Sequence, residues 1–203
     1  IRLSLVGSEM CIRDSYTTAE ESRKLAKELD IPVLEVQHHH GHALSVMAEH
    51  HLDGKCLAVI FDGTGFGTDG TVWGGEFLLC EDRSFIRVGA VKPISMISGD
   101  ESVRQAWKSL LCHLAHSGIP SEDKREAVVK AVIAGGVNTV KSSSMGRLFD
   151  AVSAALGLAD YNTYQGRCAM LLENQAALAK REGKIPTELS FNEEVVETEN
   201  GSV

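Results

Sequence analysis

Hydrophobic positions along the chain change period several times, and the changes divide it into elements. From Tyr16 to Asp30, Ala19, Leu25, Ala26 and Leu29 recur at helical spacing among Glu, Lys and Arg, which predicts an amphipathic helix. Pro32 punctuates it, and VLEVQ (33–37) reads as a short strand that delivers a run of histidines. From His38 the composition suits a helix carrying Ala43, Leu44, Val46, Met47 and Ala48, and Asp53-Gly54 then marks a turn. CLAVIFD (Cys56–Asp62) is a continuous apolar run, the pattern of a buried strand. TVWGGEFLLCE (Thr71–Glu81) alternates well enough to pair with it as a hairpin, and FIRVGAVKPI (Phe85–Ile94) supplies a third strand, stopped by Pro93. Three consecutive strands with tight turns predict a short antiparallel meander.

The period then returns to that of helices. Ser102–Ser117 and Ser121–Ala134 read as two, separated by Gly118-Ile119-Pro120, with Asp100 as a candidate N-cap and Gly135-Gly136 as the stop. MGRLFDAVSAALGL presents Leu148, Phe149, Val152, Ala155 and Leu156 on one face, behind a serine run (Ser142–Ser144) suited to capping it. Gly166–Arg181 carries Ala169, Leu172, Ala176 and Ala179. The expected fold class is therefore mixed α/β: a short antiparallel meander with surrounding helices. Residues 1–15 (IRLSLVGSEMCIRDS) are expected to be an unrelated leader, 16–184 the domain, and 185–203 an acidic, loosely ordered or truncated tail.

Candidate chemistry concentrates between His38 and Gly75. His38 and His42 lie one helical turn apart, so both imidazoles share a face and can bind one divalent ion, while His39 and His40 point elsewhere. Asp62 closes the first strand and opens DGTGFGTDG; a carboxylate there can hold a cation, and the backbone of Gly63, Gly65 and Gly67 with the Thr64 hydroxyl can surround an anion. The same residues also suit an ordinary hairpin turn. Arg147 and Asp150, three apart on one helix, can pair with each other. His113 and His116 read as surface or packed residues, and Cys56 as core.

Composition narrows the function classes. A net charge of −8 opposes a nucleic-acid surface, and no run of about 20 apolar residues indicates a membrane span. The five cysteines are scattered without a C-x-x-C pair, which points to reduced thiols and a cytoplasmic setting.

In their order, VQHHHGH, VMAEH, FDGTGFGTDGTVWGGEF and SSSMGRLFDAVSAALGL resemble the C-terminal carbamoyltransferase domain of the HypF-type hydrogenase maturation proteins, over roughly Tyr16–Lys184. The resemblance implies part of an actin-like, sugar-kinase-like ATPase (ribonuclease H-like) lobe. It implies a divalent metal, zinc or iron, on His38, His42 and Asp62. It also implies ATP or carbamoyl adenylate held by Gly63, Thr64, Gly65, Gly67, Ser143, Ser144 and Arg147. The implied reaction moves a carbamoyl group from carbamoyl adenylate, made from ATP and carbamoyl phosphate, to the C-terminal cysteine of a HypE-like partner, for the cyanide ligands of nickel-iron hydrogenase. Two departures stand out: Ser98 replaces a family glycine, and Gln165 replaces a family glutamate. The upstream domains and the downstream nucleotide motifs of the family do not occur, so the chain is expected to be an internal fragment, inactive alone. The related alternatives are an antibiotic-type O-carbamoyltransferase and a tRNA threonylcarbamoylation protein. The alternative of another class is a non-catalytic, metal-binding scaffold.

Overall fold

The computed structural model describes residues 14–32, 36–81 and 84–184. The predicted leader lies outside these residues except at its end, as do the tail and most of the strand expected at 33–37. The chain divides into two compact units, residues 1–93 with 140–145, and residues 94–139 with 146–203.

In the first unit, helix α1 (Asp14–Glu28) forms where the helical period predicts it, with Ala26 buried and Leu25 and Leu29 left exposed. Helix α2 (His38–Glu49) is capped by Gln37, whose extended backbone (φ −62°, ψ 138°) ends the preceding segment and whose side chain accepts from His40 N–H. Three strands follow, β1 (Cys56–Phe66), β2 (Val72–Glu81) and β3 (Ser84–Ala90), each antiparallel to the next with β2 central. A later strand, β5 (Thr139–Ser142), which hydrophobic pattern alone did not predict, joins β2 in parallel through Val72 and Ser142.

One face of this meander packs under α2. Ala43 and Met47 from the helix meet Ile60, Trp73, Leu78 and Cys80, with Cys56, Ala58 and Phe85 against them. The apolar run of β1 is not buried on both sides as its sequence suggested. Its odd positions turn outward, leaving Leu57, Val59 and Phe61 about half exposed (58%, 52% and 57%). The reason is strand geometry: successive side chains face opposite sides, and α2 covers only one of them.

The third strand ends at Ala90, short of the Pro93 expected to stop it, and the second unit opens just after that proline as β4 (Ile94–Ile97). The helix expected over Ser102–Ser117 is broken in two, α3 (Asp100–Arg104) and α4 (Ala106–His116), because Gln105 leaves helical geometry (φ −99°, ψ 84°) to bridge Tyr161. The residue that precedes α3 is Gly99, with φ 110°, so Asp100 is not its cap. Helix α5 (Glu126–Ala134) starts later than its pattern suggested, since Asp123 first holds a turn through the Arg125 N–H and guanidinium. Helices α6 (Met145–Ala155) and α7 (Arg167–Arg181) fall where predicted. One cluster joins Ile94, Met96, Leu111, Cys112 and Val129; another joins Ala106, Ala154, Ala159 and Cys168. Among the described residues, no helix is long and apolar enough to cross a membrane.

Candidate metal centre

The register of β1 against β2 jumps from Phe61↔Gly75 to Gly65↔Trp73. Asp62, Gly63 and Thr64 are therefore left opposite Gly74 alone, as a bulge. Such a bulge needs space on the partner strand. A Cβ at Gly74 would lie 2.5 Å from the Asp62 carbonyl oxygen, so only glycine accommodates it. The bulge re-aims the Asp62 side chain towards the start of α2, and Ser144 fastens it from β5's end, donating its hydroxyl to the Gly63 carbonyl at 2.7 Å and the Asp62 carbonyl at 3.2 Å.

Here the three predicted metal ligands meet. Nε2 of His38 lies 2.9 Å from Oδ2 of Asp62 and 3.2 Å from Nε2 of His42, and one ligand atom from each residue falls within 4.8 Å of the others. Two imidazole nitrogens and a carboxylate oxygen so grouped fit a divalent cation of the zinc or iron kind. Gly65 is what lets the rings approach the strand: a Cβ there would lie 2.4 Å from Cε1 of His39 and 2.6 Å from Cδ2 of His38.

His39 and His40 are both buried, and only His39 departs from the expectation that they point elsewhere. The His40 ring packs on Phe85 at 4.9 Å. His39 is fully enclosed, its Nε2 is 3.7 Å from Oδ2 of Asp62, and its ring leans on Trp73 at 5.7 Å. The bulge explains the error, because it brings strand backbone up beneath a helix face that is free in an ordinary hairpin. Burial, reinforced by the neighbouring His38, pushes the His39 pKa down to about 4. Burial also works to raise the Asp62 carboxyl, but His38, the Gly63 N–H and His39 together outweigh it and hold that carboxyl below the ordinary value.

A second polar network supports the first, and no sequence pattern disclosed it. Glu76, fully buried, accepts from the N–H groups of Gly74 and Gly75 at 3.0 and 3.2 Å, from the Ser143 hydroxyl, and from Nε of Arg87 at 2.6 Å. Arg87 also reaches Asp69 at 3.1 Å and lies over the Trp73 ring at 4.3 Å, while Asp69 accepts from the Trp73 indole at 3.0 Å. A buried acid two residues after a Trp-Gly pair was the signal available; its partner Arg87 stands on another strand.

The predicted nucleotide contacts are distributed less simply. Gly63 and Thr64 lie on the bulge and Gly65 where the ladder resumes opposite Trp73, but the Gly67 N–H is taken by the Thr71 carbonyl at 2.9 Å in the turn beyond it. The Ser143 and Ser144 hydroxyls turn back from the start of α6 onto Glu76 and the bulge carbonyls. Arg147 belongs to the second unit, where it pairs with Asp150 at 3.0 Å, as its spacing allowed, and donates to the Val103 carbonyl at 2.9 Å.

Comparison with known proteins identifies the family. Residues 58–201 match the family model described as carbamoyltransferase, Kae1-like domain, second subdomain, and residues 5–49 match the HypF Kae1-like domain. The chain is 39% identical over 176 residues to carbamoyltransferase HypF of Rhodobacter capsulatus, covering 82% of this chain and 24% of that protein. It is 33% identical over 183 residues to carbamoyltransferase HypF2 of Cupriavidus necator, covering 87% of this chain and 22% of that protein. A crystal structure of full-length HypF in a phosphate- and nucleotide-bound form superposes with a TM-score of 0.67 at 39% identity, over 75% of this chain and 21% of that one. The chain thus spans about a quarter of the length of these two curated relatives.

Proposed function

Because the chain belongs to the family of HypF carbamoyltransferases, we propose that it supplies the metal-bearing part of a carbamoyl-transfer site. In this reading a divalent ion, zinc or iron, is held by His38, His42 and Asp62. When bound, the ion supplies positive charge that neutralises phosphate and polarises an acyl oxygen. Asp62 is kept ionised by its hydrogen bonds, and Gly63 and Thr64 of the bulge, with Gly65 just after it, present their backbone beside it. Ser144 holds that bulge, and Glu76 holds the Gly74–Gly75 backbone underneath. These residues orient and position; none of them is a nucleophile placed against the cluster. The carbamoyl donor is carbamoyl adenylate, formed from ATP and carbamoyl phosphate, and the acceptor is a cysteine thiolate of a HypE-like partner. The nucleotide-bound state of the full-length relative supports a nucleotide in this family, and in this reading Ser143 and Ser144, beside the bulge, are further contacts.

The observation that carries the reading is the convergence of the His38, His42 and Asp62 ligand atoms within 4.8 Å. The test replaces the matching segment of the R. capsulatus relative with this chain and measures carbamoyl transfer. The chimera is expected to transfer, and its H38A, H42A and D62A forms to lose both bound metal and transfer while staying folded. Full transfer by H38A would overturn the proposal. If instead the metal is a structural staple, chelator alone will unfold the protein, which is the behaviour of a scaffold.

A further inference from the structure

Beside the three ligands lies a pair, Gln37 and His39, whose chemistry the ligand set does not use. Two backbone contacts fix the Gln37 amide. Its Oε1 accepts from the His40 N–H at 2.9 Å, and its Nε2 donates to the Phe66 carbonyl at 3.1 Å. Turning the amide over would set its NH2 against an N–H and its oxygen against a carbonyl, losing both bonds. The same Nε2 lies 3.2 Å from Nδ1 of His39 and has a second hydrogen to give. A nitrogen that faces a donor must present its lone pair. The ring hydrogen of His39 is then on Nε2, since a hydrogen on Nδ1 would point at the Gln37 N–H.

Among the described residues, that Nε2 has no hydrogen-bond partner, although it is fully enclosed. It stops 3.7 Å from Oδ2 of Asp62, beyond hydrogen-bond reach but facing the cluster. A nitrogen that carries hydrogen has no lone pair for a metal.

We propose that His39 is a positioning residue, held by Gln37 in its Nε2–H form so that it donates to oxygen at the cluster and stays out of the cation's coordination shell. The oxygen is that of Asp62, or of an anionic ligand seated beside it. His39 therefore does for the carboxylate what a neighbouring carbonyl does for a metal-bound imidazole: it fixes which lone pair faces the ion. The metal-facing half of this inference rests on the ligand set proposed above; the tautomer does not.

The experiment keeps the two apart. Long-range 1H–15N correlation on the 15N-labelled, metal-free 203-residue chain reads the His39 tautomer directly, with the H39Q spectrum giving the assignment. A protonated Nε2 and bare Nδ1 are expected; a protonated Nδ1 overturns the proposal. Cobalt(II) is then titrated into wild type, H39A and H39Q. Gln at this position restores an N–H near the place of Nε2, so H39Q is expected to bind within about threefold of wild type, whereas H39A loses about 10–100-fold. Equal loss in both variants, or none in H39A, overturns the donor role. In Q37E, where an acceptor replaces the donor, the tautomer is expected to reverse; an unchanged tautomer there removes Gln37 from the account. If cobalt binds no form while the tautomer stands, the ligand set fails and the Gln37–His39 pairing does not.

Discussion

The most exposed consequence of this geometry is that Gly65 admits no side chain. In G65A the new methyl would lie 2.4 Å from Cε1 of His39, 2.6 Å from Cδ2 of His38 and 3.0 Å from Nε2 of His39. Carbon atoms settle at about 3.5–4.0 Å, so the rings or the strand must part by roughly 1 Å. His39 cannot retreat freely, because it is fully enclosed and leans on Trp73 at 5.7 Å. If the strand yields instead, Asp62 moves with it, away from His38. Overpacking of this kind costs about 1–3 kcal/mol. The ligand geometry suffers more: metal sites tolerate about 0.2 Å, and the displacement is several times that. G65A is therefore expected to lower the urea midpoint at unchanged slope and to weaken cobalt(II) or zinc binding by at least about 10–100-fold, read by competition with a chelating indicator. G89A is the control, since its Cβ would meet Phe77 at an ordinary 3.5 Å. It should stay within about 0.5 kcal/mol of wild type. A G65A chain with wild-type midpoint and metal affinity would refute the account of how the histidines reach the strand.

Three further outcomes follow from the same contacts. R87M leaves the fully buried Glu76 without its cation and is expected to cost about 3–5 kcal/mol in urea denaturation, with much of the loss recovered in R87M/E76Q; a loss below about 1 kcal/mol would contradict the network. In metal-free buffer, His39 binds its proton at about 4 when folded and near 6.5 when unfolded, so the unfolded chain holds more protons between those values. Stability on this account is full above about pH 6.5 and declines as pH falls towards 4, by a total on the order of 3 kcal/mol, and urea midpoints for H39Q should lack that slope. The depressed Asp62 carboxyl adds its own loss only at pH below 3.8. On β1, V59K should change stability by less than about 0.5 kcal/mol because Val59 is half exposed, whereas I60A should cost about 2–5 kcal/mol; comparable costs at both positions would show the outward face to be covered after all.

Much of the fold was legible because it is written in period. The helices over 38–49, 145–155 and 167–181 carry apolar or small residues at helical spacing, and the meander carries β-branched and aromatic residues between glycine-rich turns. The expected mixed α/β, actin-like class agrees with the Kae1-like family models and with the superposition on full-length HypF. What pattern could not supply is whatever depends on a partner distant in sequence. Gln105 breaks a good helical run because Tyr161 takes it into a bridge. β5 pairs with β2 through Val72 and Ser142, which are far apart in sequence. Likewise, the outward face of β1 reads as core by composition, and only the position of α2 decides which face is covered.

The convergence of His38, His42 and Asp62 was legible in a different way, through residue type and spacing rather than period, and its limits show what positions it. Helical spacing correctly paired His38 with His42, yet it sent His39 to the wrong side. A strand running straight past the helix start would have left that ring free. Instead the ladder skips from Phe61 to Gly65 on one strand while the other advances only from Gly75 to Trp73. The skipped residues rise towards α2, and so the helix faces the strand with three imidazoles rather than two. The glycines there are needed first for space: Gly74 clears the Asp62 carbonyl and Gly65 clears the rings. Any anion binding by the bulge therefore has to use amides whose positions the packing of histidines has already set. It follows that a variant altering the bulge without touching a ligand should disturb metal binding and anion binding together, whereas T68A, at the exposed tip of the turn beyond it, should disturb neither.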